Sequence, residues 1–108
     1  MKEIKLNEGS VLNPKVLDIS YKEDEYVILE SGVYILKNVI VSEVKGSTII
    51  NEMWGSSQVK EMWGSSLVKV MWESSQVNVM WGSSLVKVMR ESSQVKEMLE
   101  RSQVNVMM

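Results

Sequence analysis

From Met53 onward the chain repeats one nine-residue phrase, with copies beginning at Met53, Met62, Met71, Met80, Met89 and Met98 and a truncated one at Met107. Numbered from its Met, the phrase reads Met-Trp-Gly/Glu-Ser-Ser-Gln/Leu-Val-Lys/Asn-Val/Glu. A nine-residue unit is too short to bury an apolar face by itself, so it must stack on copies of itself, and a fixed period this short is the signature of a repeat architecture. Two positions alternate. Position 6 runs Gln58, Leu67, Gln76, Leu85, Gln94, Gln103, and position 9 runs Glu61, Val70, Val79, Val88, Glu97, Val106. The chemical period is nine, but the finer period is nearer eighteen, which places two copies on each turn of a coil.

Neither helix nor disorder accommodates the phrase. Apolar positions 1, 2, 7 and 9 scatter around a helical wheel instead of forming one stripe, and paired serines with recurrent glycine oppose a helix. A Val-Met-Trp cluster returns in most copies, which is too apolar for a disordered segment. The run Ser-x-Val-x-Val-Met-Trp has strand composition, with Gly-Ser or Glu-Ser as corner. Stacked coils then pair their backbones at about 4.8 Å. The fold expected is all-β: a β-solenoid of two nine-residue copies, eighteen residues, per coil.

Invariant Val at position 7 and Met at position 1 are expected inside, with Ser at position 5 as a small filler on the same face. Position 9 accepts Glu and is expected outside or at a corner. Positions 8 and 9 are then two successive outward residues, which requires a bend. Position 2 runs Trp54, Trp63, Trp72, Trp81, Arg90, Leu99, Met108. A site that takes both Trp and Arg is not sealed core. With two copies per coil, Trp54 stacks over Trp72 on one edge and Trp63 over Trp81 on the other, stabilising the ladder and leaving aromatic edges for a partner. Trp54, Trp63, Trp72, Trp81 and Arg90 are therefore the candidate interaction surface.

Residues 1–34 are not repetitive. Lys2–Leu6 and Val16–Tyr21 are strand candidates, and Glu25–Leu36 reads as a hairpin turning at Glu30-Ser-Gly32. This segment is expected to form a small antiparallel cap over the first coil, with Glu23-Asp24-Glu25 as a solvated turn. Residues 35–52 align with the phrase more loosely, with Val41 and Ile50 at position 7 and Gly46 at position 3. Residues 35–108 thus make a solenoid of about four coils. At its far end Met107 and Met108 offer no polar cap, and an uncovered coil exposes strand edges. Pairing with a second copy about a two-fold axis, through Leu99, Arg101, Val106, Met107 and Met108, is the expected cover.

Composition narrows the chemistry. The chain has 108 residues, 12 basic and 14 acidic, with no Cys and no His. Disulfides, thiolate or imidazole metal sites and a Ser-His-Asp arrangement are excluded together. The charge balance is not that of a general nucleic-acid binder. No apolar run suggests a signal peptide or a membrane span, so a cytoplasmic location is expected. Ser56, Ser57 and their equivalents lack a base, and Glu73 and Glu91, one coil apart, are the best carboxylate pair on offer. No cofactor or metal is expected.

At Trp-Gly-Ser-Ser-Gln-Val the chain resembles nonapeptide solenoid repeats of the Gly-Asn-Ala-x-Ile-x-x-Val kind, found in proteins of phages and prophage-bearing bacteria. The match lies in Gly55, Gly64 and Gly82, the small residue at position 5 and the β-branched residue at position 7. Ser replaces Asn at position 4, except at Arg101. The resemblance covers about two thirds of the chain and implies a β-solenoid in a phage-linked setting. It implies no activity.

The functional expectation is a non-enzymatic structural or protein-interaction module that binds a protein partner or self-assembles. The alternatives are a phage-encoded inhibitor of a host defence enzyme, acting like an anti-CRISPR protein or a nucleic-acid mimic, and a polysaccharide-acting β-helix enzyme using Glu73 and Glu91.

Overall fold

A computed structural model describes residues 2–18 and 25–107. Its strands, in chain order, are β1 (Lys2–Glu8), β2 (Lys15–Leu17), β3 (Glu25–Lys37), β4 (Ile40–Val44), β5 (Ile49–Trp54), β6 (Gln58–Met62), β7 (Leu67–Met71), β8 (Gln76–Met80), β9 (Leu85–Met89), β10 (Gln94–Met98) and β11 (Gln103–Met107). Every pairing between them is parallel. One face, called face A, carries β1, the first half of β3, β4, β6, β8 and β10, and the opposite face B carries β2, the second half of β3, β5, β7, β9 and β11. The architecture is the expected β-solenoid. Val41 pairs with Val59, Val59 with Val77 and Val77 with Val95, so each of these coils advances by eighteen residues.

The repeat sets the core directly. Val59, Val68, Val77 and Val86 at position 7, and Met62, Met71 and Met80 at position 1, are fully buried. Ser57, Ser66, Ser75 and Ser84 at position 5 are buried beside them as small fillers. Along β8 the residues run half-buried, buried, half-buried, half-buried, buried. The two successive outward residues are positions 8 and 9, as the phrase requires. In the copies with Glu at position 3 the position-5 hydroxyl also closes the corner: Ser75 Oγ donates to the Trp72 carbonyl at 2.8 Å, and Ser93 and Ser102 repeat the bond to Arg90 and Leu99 at 2.7 and 2.8 Å, whereas the Ser57, Ser66 and Ser84 hydroxyls of the Gly copies are buried without a protein partner.

The corner residue at position 3 is left-handed throughout, with φ of 64° at Gly55, 68° at Gly64, 58° at Glu73, 66° at Gly82, 59° at Glu91 and 60° at Glu100. On one corner the glycines are packed against each other as well. A Cβ added at Gly82 would lie 3.0 Å from the Gly64 carbonyl oxygen, so only glycine fits without movement there.

The N-terminal segment departs from the sequence expectation. The cap is not antiparallel: β1 and β2 pair parallel to β3 and extend the same two faces by one more coil. Glu25–Leu36 is not a hairpin either, because β3 runs unbroken through Glu30-Ser-Gly32 and passes from face A to face B. Gly32, at φ 111°, serves close approach instead of chain reversal, since a Cβ there would collide with the Glu8 carbonyl oxygen of β1. Alternation marks a strand but carries no information about the direction of its partner. Tyr34 closes the base of the core: its fully buried hydroxyl accepts from Glu8 N at 3.0 Å and donates to the Ser31 carbonyl at 2.7 Å. Of the strand expected over Val16–Tyr21, only Val16 and Leu17 fall in β2. Residues 19–21, with Glu23 and Asp24 of the acidic cluster, lie outside the described residues.

Candidate interaction surface

Each position-2 residue is held by its backbone. Trp72 N donates to Met53 O at 2.8 Å, Trp81 N to Met62 O at 2.8 Å and Arg90 N to Met71 O at 2.9 Å, so successive position-2 side chains sit one coil apart on the same corner. The rings follow. Trp54 and Trp72 stack with centroids 4.9 Å apart and planes 4° from parallel, and Trp63 and Trp81 repeat the arrangement at 4.9 Å and 4°. Both expected ladders are present, one at each corner. Such pairs are worth about 0.5–1.5 kcal/mol beyond the area they bury.

The two columns begin and end differently. In the first, Lys37 pairs with Trp54 in register, and Arg90 closes the other end with its guanidinium carbon 4.8 Å from the Trp72 ring centroid. In the second, Leu99 takes the place of Arg90. Trp63 is the most open ring, at 36% exposure, while Trp54, Trp72 and Trp81 are half-buried. Trp54 donates its indole N–H to Glu52 Oε1 at 2.6 Å. The indole nitrogens of Trp72 and Trp81 are buried without a protein partner. The cause lies two residues earlier: position 9 is Glu52 before Trp54, but Val70 before Trp72 and Val79 before Trp81.

The alternation at positions 6 and 9 has a spatial meaning that the sequence reading left unused. All the Leu copies fall on face B. Its outer surface carries the in-register column Ile49, Leu67, Leu85 and Gln103 and a second column Glu52, Val70, Val88 and Val106, with the position-8 residues Asn51, Lys69, Lys87 and Asn105 between them. Face A carries Ile40, Gln58, Gln76 and Gln94 in one column and Glu43, Glu61, Val79 and Glu97 in the other. At positions 6 and 9 the middle coils of face B are therefore aliphatic and those of face A mostly polar, with the tryptophan corners between them. Positions 6 and 9 follow the nine-residue phrase, while their chemistry follows the coil.

At the last coil the core columns open. Met98 and Met107 are 44% and 76% exposed where Met62, Met71 and Met80 are fully buried, and Val106 is 45% exposed. Among the described residues β10 pairs only with β8 and β11 only with β9, so one backbone edge of each carries no strand. Leu99 is half-buried and Arg101 exposed on the same coil. Met108 lies outside the described residues.

Glu73 and Glu91 are exposed on one corner at the left-handed position. The perturbed carboxylate is elsewhere. Glu43 on face A accepts the phenolic hydrogen of Tyr26 and pairs with Lys45 Nζ at 3.3 Å. The Tyr26 bond, with the Lys45 charge, holds Glu43 below the usual carboxylate range. The same bond, aided by desolvation and the Glu43 charge, pushes Tyr26 up to about 12. Among the described residues no group of three or more His, Cys, Asp or Glu side chains is placed to hold a metal ion, and no helix is long and apolar enough to cross a membrane.

The fold is consistent with a structural or interaction module, and its distinctive surfaces are an aliphatic strip on face B and two aromatic corners. No protein-family model, curated protein or solved structure matches the chain.

Proposed function

We propose that the protein is a non-enzymatic interaction module: a rigid β-solenoid that presents face B and its flanking tryptophan corners to a protein partner, and pairs with a second copy through its C-terminal coil. The observation that carries this is the half-buried aliphatic strip Leu67, Val70, Leu85 and Val88 on the outside of face B. Folding of the coil needs the inward Val, Met and Ser columns. It does not need Leu67 and Leu85 outside, because Gln58 and Gln76 hold the same positions on face A with equally regular pairing. Apolar residues concentrated on one broad outward surface suit a docking role. The exposed Met98, Val106 and Met107 and the bare edges of β10 and β11 support self-pairing on the last coil.

The double variant Leu67→Gln/Leu85→Gln writes the face A residue onto face B. It is expected to melt within about 1 kcal/mol of the parent, the usual range for surface changes, and to bind less of a hydrophobic dye. A large fall in stability means that the Leu column holds the coil together, and it removes the docking argument. Light scattering over a dilution series tests the pairing. The expected mass is twice the 12.3 kDa of one chain, falling to one chain in Val106→Lys/Met107→Lys. A single-chain mass at every concentration overturns the pairing.

A further inference from the structure

We infer that the groove beneath Trp54 is a receptor site for an arginine side chain of a protein partner. This rests on the interaction reading above and gives it a chemistry. Trp54 is stacked on Trp72 on one side. Beside Trp54 opens a cavity of about 520 Å³ whose walls include Ile35, Lys37, Asn38, Glu52 and Glu73 together with Trp54 itself.

The molecule already shows what this column accepts. At the opposite end Arg90 lays its guanidinium against Trp72, 4.8 Å from the ring centroid. A flat cation on an indole face is favoured by the ring quadrupole, and arginine does this better than lysine because its guanidinium is planar and weakly hydrated. Beneath Trp54 the corresponding column position is held by Lys37, an exposed side chain whose compact ammonium fits a ring face less well.

The charge pattern selects a cation. Glu52 is held against the indole by the bond from Trp54 Nε1 to its Oε1. A carboxylate has acceptor capacity beyond one hydrogen bond, and a guanidinium can bind it with two parallel N–H groups. Glu73 adds a second carboxylate on the same wall, so two negative groups face one positive in Lys37. An anionic ligand is disfavoured there. The floor is kept open by Gly55, whose missing Cβ would otherwise collide with Asn38 Oδ1, an oxygen engaged by Ser56 N at 3.0 Å.

The test follows the indole N–H signals of the full chain by NMR while N-acetyl-Gly-Arg-Gly-amide is added. The Arg peptide is expected to shift the Trp54 indole signal saturably, with a Kd of about 1–5 mM, the scale for a single side chain. The isosteric citrulline peptide, which lacks the charge, should bind about ten-fold more weakly. Glu73→Gln should weaken the Arg peptide several-fold, and Lys37→Ala, which removes the resident competitor, should tighten it. Equal binding of the citrulline and Arg peptides overturns the inference, as does a Trp54 signal unmoved by the Arg peptide. In either case a dimer that persists in light scattering leaves the interaction reading standing, so the two failures are distinguishable.

Discussion

Tyr26 donates its phenolic hydrogen to Glu43 on the adjacent strand of face A. This bond ties stability to pH from both sides. Glu43 is depressed, so its contribution is present above the ordinary carboxylate value of 4.5 and is lost as pH falls through its lower folded value. Tyr26 is raised from 10.0 to about 12, so its contribution is present below 10.0 and is lost as pH rises through about 12. Denaturation midpoints of the parent and Tyr26→Phe are expected to differ by a constant amount across neutral pH. The two curves should converge in strong acid and again in strong base. A difference that stays constant down to the acid limit means that the bond does not perturb Glu43.

The left-handed corners separate glycine from glutamate. A non-glycine residue at φ near 60° carries a local cost of about 1 kcal/mol, and Glu73, Glu91 and Glu100 all bear it. Glu91→Gly is expected to raise stability by about 0.5–1 kcal/mol. Gly82→Ala should act the other way by about 1 kcal/mol or more, because its Cβ would also press on the Gly64 carbonyl at 3.0 Å. Thermal melts of the two variants should move in opposite directions. A common direction means that the corner backbone relaxes on substitution.

Much of this was legible from the phrase. Invariance at Val77 and Met80 marked the core columns because a buried position on identical neighbouring coils tolerates one shape. Two copies per coil fixed which tryptophans meet. The same logic, carried to Leu67 and Val70, also gives the aliphatic strip, since the second and fourth copies share one sheet. The N-terminal segment was less legible for a physical reason. Glu25–Leu36 reads like a hairpin, and Gly32 looks like a turn, but its role is the approach of β1, a contact between residues distant in sequence. The site under Trp54 needed Lys37, Asn38 and Glu73 brought onto one corner, and a register shift between Tyr34 and Ile35 blurs the phrase there.

The core assignment has a direct check. Val77 is fully buried between Val59 and Val95 in register, and Gln76 faces out beside it. Val77→Asp places an unpaired charge in the dry column and is expected to abolish the cooperative melt, at a cost of several kcal/mol, on the order of 4 or more. Gln76→Lys should stay within about 0.5 kcal/mol of the parent. An intact melt for Val77→Asp would reverse the inside and the outside of the coil.

Trp72 carries more of the corner than Trp54, because it is flanked by a ring on one side and a guanidinium on the other. Removing it breaks the 4.9 Å stack with Trp54 and the 4.8 Å contact with Arg90 together. Each is worth about 0.5–1.5 kcal/mol, and loss of the half-buried indole adds to both. Trp72→Leu is therefore expected to cost about 2–3 kcal/mol, on the scale of a large aromatic truncation. Arg90→Met, which keeps a long apolar stem over the ring, should cost about 1 kcal/mol or less, since only the cationic part of the contact is lost. The two contacts lie on different faces of one ring, so they are coupled only through its position. In the Trp72→Leu background the Arg90→Met change should become nearly silent, and a double-mutant cycle on melting free energies reads this directly. Near-ultraviolet circular dichroism gives an independent signal, because the Trp54–Trp72 couplet disappears with Trp72→Leu and survives Arg90→Met. If Arg90→Met costs the same with and without Trp72, its guanidinium is held by other groups and the ladder ends at the rings.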